Sequence, residues 1–448
     1  MQKKVVCLIL ALVMLLGLSA CSENGSSEPA KGETVGNGKY SGVEKTSDTS
    51  FVSDSKSENG YDLTFVCAAD QVLAEQGKLM NQWIQYLVEN NEDINSITLV
   101  PLGDEERLTT IMAGVGLPDI FFGSAGDAAK YYMAANLLDL SDLFADTAWS
   151  DGFYDEAVAG VTVDGKQWAI PFITYVSHMY RNLDMMRAAN LEIVDQYATM
   201  DDLIADFAAL TEAGYTATNS WAIGSYYGSA AIIGADAENI DVGKDENGKT
   251  TIQAEQLVRS METLKKFEQY ANGMPYGEDA TIEAFCAGEI GFLLDGPWTE
   301  PTIQAAGVNY DVILIPPYEV GGRTGGMQNW DYFYGIDSGD EGRNEAIKTV
   351  LKYLGSYEAE KAWTINVGRA TLREDVMKDP EVLQTPMCIA QSAGLDGGII
   401  KLDFFRETTS WLNVFADVAP LVADGTYTPE QAAEAAIEAI NALYEESA

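Results

Sequence analysis

One histidine stands among 448 residues, and 27 lysines and arginines face 69 aspartates and glutamates. Both shortages exclude chemistry. A Ser–His–Asp or Cys–His device would have to use His178, yet no Gly-x-Ser-x-Gly elbow occurs and no cysteine lies near it in sequence. His178, set in "YVSHMY", therefore reads as structural or ligand-facing rather than catalytic. His-Glu-x-x-His and Cys-x-x-Cys spacings are missing as well, so neither a metal nor another cofactor is expected. "DVGKDENGKT" is acidic but wrongly spaced for a calcium loop, and reads as a solvated hairpin turn. "GGRTGGMQ" lacks the Gly-Lys-Ser/Thr ending of a phosphate cradle and reads as a mobile loop. A formal charge of −42 should repel nucleic acid and anionic membrane surfaces. Paired carboxylates are the weakest exclusion. So many acids make some pair near a cleft inevitable, and a glycosidase stays open.

Cysteine is scarce too, with five in the chain. Cys67, Cys286 and Cys388 are widely spaced and odd in number, which is neither a disulfide framework nor a metal pattern. They read as small buried hydrophobes. The other two sit at the N-terminus. Lys3 and Lys4 precede an apolar run from Val5 to Ala20, the layout of a secretory leader and short for a membrane span. No later stretch reaches about 18 uninterrupted apolar residues, so no transmembrane helix is expected downstream. Leu18-Ser19-Ala20-Cys21 resembles the lipobox of bacterial lipoproteins. That resemblance implies cleavage before Cys21 and a diacylglycerol on its thiol, which would tie the chain to the outer face of the cytoplasmic membrane.

What is plentiful is apolar surface. Hydrophobic residues make up 47% of the chain, enough for more than one large core. Residues 21–59 are the exception: Ser, Gly and charged residues dominate, so a disordered tether is expected there, spanning roughly 35 Å on average. From Tyr61 short strands alternate with helices. "YDLTFVCAA" and "SITLVPL" read as strands, and between them Leu79, Met80, Trp83, Leu87 and Val88 share one helical face. "DEERLTTIMAG" then "LPDIFFG" repeat the unit, which argues an α/β fold with a parallel sheet. "VTVDGKQWAIP" predicts a hairpin around Asp164-Gly165, and "SHMYRNLDMM" a strand entering a helix. Thr428, Pro429 and Gln431 predict a capping box opening the last helix.

Several of these stretches, in order, resemble the solute-binding proteins of carbohydrate ABC importers, the group that includes maltose-binding protein. They are "LTFVCAADQ", "GVGLPDIFFG…ANLLDLSDLF", "DGKQWAIPFITYVSHMYRNLDMMRAANLE", "FCAGEIGFLLDGPWTE", "AIKTVLKYLGSYEAEKAW" and "DGTYTPEQAAEAAIEAIN". Arg181 departs from the family's usual Tyr or Asn, and Gly123-Ser124 from a frequent aromatic. The resemblance implies two lobes with a ligand cleft between them, residues 60–173 and 316–354 in one and 176–313 and 356–448 in the other. Crossings would fall near Phe172–Val176, Val312–Pro316 and Leu354–Ser356.

It also implies a carbohydrate, captured by hinge closure and handed to ABC permease subunits by a monomeric, non-enzymatic protein. Aromatic rings would cover the sugar's apolar face and Asp, Asn and Arg its hydroxyls. Trp298, Tyr175, Trp411 and Trp330 are the candidate rings. Asp331, Asp70, Asp295, Ser124, Asp127 and Arg369 are the candidate polar partners. A surface glycosidase, a sugar sensor, or the same fold binding a polyamine or amino acid remain alternatives at this point.

Overall fold

The run "YDLTFVCA" forms strand β2 (Tyr61–Ala68), buried from Phe65 to its end because both its faces are covered by other elements. A computed structural model describes residues 50–52, 57–72, 74–124, 127–219, 226–236, 240, 245–271, 277–322, 324, 325, 328–396 and 408–446. Cys21 and residues 21–49 of the expected tether lie outside the described residues. Within the segment expected as tether, Ser50–Val52 form strand β1 and pair antiparallel with Ser96–Thr98 of β3 (Ile94–Leu102). No described helix is long and apolar enough to cross a membrane.

The first lobe is built on a six-stranded sheet of order β1-β3-β2-β4-β11-β7, where β4 is Ile120–Ser124, β7 Ile170–Val176 and β11 Gln328–Gly335. β3, β2 and β4 pair parallel, but β1 and β11 each pair antiparallel with their neighbours, so the expected parallel sheet is corrected to a mixed one. The reason lies in chain direction. Strands β2, β3 and β4 end at the rim facing the second lobe, whereas β11 enters from that lobe and must run the other way. Helix Ala74–Asn90 buries Leu79, Met80, Trp83, Leu87 and Val88, the face that their spacing predicts. The hairpin forms as read: β5 (Thr162–Val163) and β6 (Lys166–Gln167) flank Asp164 and Gly165, both at positive φ.

The second lobe carries an antiparallel sheet of order β10-β8-β9, with β8 His178–Asn182, β9 Phe292–Leu294 and β10 Tyr310–Leu314. Helices Met200–Glu212, Tyr226–Gly234, Ala254–Ala271, Thr408–Ala423 and Pro429–Glu446 pack together beside it. Phe207 meets Phe267 and Phe292 edge-on or tilted at about the same spacing, 5.0 and 5.1 Å between centroids. The last helix opens with reciprocal bonds, Gln431 N–H to Thr428 Oγ1 at 3.3 Å and Thr428 N–H to Gln431 Oε1 at 2.9 Å.

Arg181, the departure noted above, is a structural clamp. It is wholly buried, stands directly opposite Asp311 across β8 and β10, and donates from Nε and Nη2 to both Asp311 oxygens at 2.9 and 2.5 Å. Cys67 and Cys388 are buried and Cys286 is half-buried, all three without a disulfide.

Strand β7 passes into β8 through Ser177, and the chain returns from β10 to β11. The third crossing does not fall at Leu354–Ser356. Helix Tyr357–Val367 stays on the first lobe because its Trp363 is buried there, 5.6 Å from Trp83 and 5.0 Å from Phe172. Residues 369–373 then run along the free edge of β7, so the crossing comes later. Helix Pro386–Asp396 rests on both β7 and β10, at the junction itself.

Candidate functional site

The rim of the first lobe gathers short polar side chains because three strands end there. β2 runs into a 3-10 turn, Ala69–Val72, which carries buried Asp70. Arg369 Nη2 donates to Asp70 Oδ2 at 2.7 Å. Arg369 follows Gly368, a left-handed C-cap (φ 75°), and precedes Ala370, whose carbonyl accepts from the Thr174 N–H of β7 at 3.0 Å. The guanidinium is thus placed by a helix end and a strand edge at once. Ser124, at the end of β4, stands directly opposite Asp331 on β11.

Asp331 is half-buried, and its carboxyl is pushed up to about 7. Burial is the main cause; Asp104 and Asp70 add to it, while Arg107 and Arg369 oppose it. Arg107, on helix Asp104–Met112, escaped the sequence reading because "DEERL" looks like an ordinary helix start. It is buried, bonds to the Leu102 carbonyl at 3.0 Å and to Asp104 at 2.7 Å, and lies over the Phe122 ring at 5.3 Å.

The facing wall comes from β9 and its exit. Trp298 sits in the turn Pro297–Thr299, half-buried, with its ring laid across Gly296; a Cβ there would fall 2.2 Å from it. That close approach requires glycine. Tyr175, buried at the end of β7, meets Trp298 edge-to-face with centroids 5.6 Å apart. Asp295 is wholly buried and accepts from the Gly296 N–H at 2.6 Å, so it braces the turn that carries Trp298.

Three candidates stand apart from that group. Asp127 precedes helix Ala128–Ala134 and pairs with Lys130 at 2.6 Å. Trp330 falls on the opposite face of β11 from Asp331 and packs against the core of Tyr332 and Tyr334. Trp411 belongs to helix Thr408–Ala423, but its side chain lies outside the described residues.

Glu300, two residues beyond Trp298, went unremarked in the sequence. It is buried, accepts from the Tyr310 hydroxyl at 2.7 Å, and burial pushes its carboxyl up. Its Oε2 lies against Gly368, where a Cβ would come within 2.7 Å, so the lobes touch there as well as at Tyr175 and Trp298. His178 is wholly buried, 2.9 Å from the Val176 carbonyl, and burial pulls it down to about 4; it is neutral at pH 7. The arrangement therefore offers an aromatic edge, a fixed guanidinium–carboxylate pair and a near-neutral carboxyl between two lobes. Such a set suits a ligand with one apolar face and a polar rim.

The family model for bacterial extracellular solute-binding protein matches residues 89–388. The maltotriose-binding protein of Pyrococcus abyssi is 22% identical over 334 residues, covering 71% of this chain and 66% of that protein. The diacetylchitobiose-binding protein DasA of Streptomyces coelicolor is 24% identical over 213 residues, covering 45% and 48%. The chain thus spans between about half and just under two-thirds of the length of these relatives. Among solved structures, the GacH receptor of Streptomyces glaucescens superposes with a TM-score of 0.72 at 18% identity, covering 87% of this chain and 100% of that one. A cyclo/maltodextrin-binding protein complexed with maltotetraose gives 0.67 at 17% identity, covering 86% and 98%. At such identities these two speak for the fold.

Proposed function

Since the chain belongs to the bacterial extracellular solute-binding proteins, we propose that it captures a carbohydrate, specifically an oligosaccharide, between its lobes and delivers it to the permease of an ABC importer. The observations that support this reading are the edge-to-face Trp298–Tyr175 pair, one ring from each lobe, and the Asp70–Arg369 ion pair at the ends of first-lobe elements. Trp298 and Tyr175 cover the apolar face of a pyranose, while Asp70, Arg369, Asp331 and Ser124 take its hydroxyls in paired hydrogen bonds. The two relatives are named for maltotriose and diacetylchitobiose, both sugars. The first lobe comprises the chain through β7 and from β11 to Arg373, and the second the β10-β8-β9 sheet with its helices. The ligand draws the lobes together by its higher affinity for the closed state. The protein works as a monomer, held to the outer face of the membrane by lipid on Cys21.

A thermal-shift screen tests the ligand class, because a ligand bound only by the folded form raises the melting temperature. Malto- and chito-oligosaccharides are expected to raise it. A rise with a polyamine or an amino acid and none with any sugar overturns the reading. For the anchor, Cys21→Ser should release the protein from washed membranes into the medium; a variant that stays membrane-bound refutes the lipid role of Cys21.

A further inference from the structure

The free edge of β7 is completed partly by backbone and partly by one side chain. Leu372 N–H donates to the Phe172 carbonyl at 2.8 Å, and Thr174 N–H donates to the Ala370 carbonyl at 3.0 Å. Two residues on, at Val176, the partner is Gln391, wholly buried on helix Pro386–Asp396. Its Oε1 accepts from the Val176 N–H at 2.6 Å, and its Nε2 donates to the Val176 carbonyl at 3.0 Å. A primary amide offers the same donor and acceptor as a peptide unit, so this side chain is one more rung of the ladder. His178 Nδ1 lies 2.9 Å from the same carbonyl and 3.1 Å from Gln391 Nε2. With the imidazole neutral, Nδ1–H donates to that carbonyl, which then accepts twice. Packing leaves little slack: a Cβ at Gly394 would come 2.8 Å from Val176 Cγ1, and one at Gly325 2.2 Å from it.

We propose that Gln391 is a positioning residue for ligand capture: as the last rung of β7, it sets the angle at which the chain leaves the first lobe through Ser177. It thereby governs affinity for a ligand that it does not touch. The inference rests on the cleft being the ligand site. Tyr175, one residue before this rung, forms the aromatic pair with Trp298 of the other lobe. A backbone shift at Val176 therefore moves one wall against the other. Without the amide, the buried Val176 N–H loses its acceptor and the carbonyl keeps only His178, and the lobe arrangement that buries them is disfavoured.

Gln391→Met keeps the volume and removes both hydrogen-bonding groups. Gln391→Glu is the complement, since a neutral carboxyl supplies a C=O and an O–H in their place while a carboxylate supplies no donor. His178 on β8 is the titratable group in contact with Gln391. Tyr175 on β7, Tyr310 and Asp311 on β10, and Cys388 and Asp396 on its own helix belong to the elements packed around it. Q391M shares all of these, so a pH response confined to Q391E belongs to position 391.

The test measures the radius of gyration of the unliganded full chain by small-angle scattering, and maltotriose binding by calorimetry, at pH 5 and pH 8.5. Q391M should change the radius of gyration and bind roughly tenfold more weakly at both pH values. Q391E should match the unmodified protein at pH 5 and drift toward Q391M as the pH rises. A folded Q391M with unchanged scattering and affinity overturns the proposal, as does Q391E behaving like Q391M at pH 5. If Q391M does not fold, the Q391E comparison decides alone. If maltotriose binds to none of the proteins, the ligand reading fails, while the scattering still decides for or against Gln391.

Discussion

Trp298→Ala abolishes the sugar-induced rise in melting temperature and leaves the unliganded protein folded. The ring is half-buried, so the fold loses little, whereas the ligand loses its apolar platform. A ring covering about 100 Å² of apolar sugar surface contributes about 2.5 kcal/mol. That is a loss of roughly 50-fold in affinity. Tyr175 would also lose its edge-to-face partner at 5.6 Å, which frees the wall that it forms. A second variant separates the position of the ring from its presence. Gly296→Val keeps Trp298 but places a Cβ 2.2 Å from the ring, so the indole must swing away and binding should fall by a similar amount. Titration calorimetry with the sugar that gives the largest thermal shift measures both. Undiminished binding in Trp298→Ala removes this residue from the site.

Arg181→Met has the largest expected effect on stability. The guanidinium is wholly buried, bonds to both Asp311 oxygens and to the Val194 carbonyl at 2.8 Å, and lies 5.8 Å from the centre of the Tyr197 ring. Its removal strands a carboxylate whose side chain is only 28% exposed and takes a donor from the Val194 carbonyl. Breaking a buried pair in this way costs about 3–5 kcal/mol. Partial exposure of Asp311 argues for the lower end. For a lobe of this size the melting temperature should drop by roughly 6–12 °C. The double variant Arg181→Met/Asp311→Leu should recover most of the loss, because an apolar pair has no stranded charge. Sugar binding should survive in both variants at temperatures below the melt. A single variant that melts within about 2 °C of the unmodified protein would show that the pair carries little weight.

Local features were legible where the signal is local. The Asp164-Gly165 turn needs positive φ at both residues, and Asp and Gly are among the few residues that tolerate it. Thr428 and Gln431 satisfy each other within one helical turn. Leu79, Met80, Trp83, Leu87 and Val88 fall on one side of a helix by spacing alone. Site residues were legible less evenly. "DGPW" marked Trp298, but the Trp330–Asp331 dipeptide could not reveal which of its neighbours faces the rim, since strand alternation splits them. Arg107, Glu300 and Gln391 gave no local sign at all. Each takes its role from a partner far away in sequence: Asp331 for Arg107, Gly368 for Glu300, Val176 for Gln391.

By itself the sequence determined the α/β character, the excess of acids over bases and the helix and turn boundaries, because these depend on composition or on residues within a few positions of one another. Only the tertiary structure decided the mixed strand order, the late third crossing and the company that Arg369 keeps. Those rest on contacts between segments hundreds of residues apart, as when Asp70 meets Arg369 and Val176 meets Gln391. Such contacts form because burying Trp363 against Trp83 and Phe172 holds helix Tyr357–Val367 on the first lobe, and no short window of sequence contains both sides of that packing.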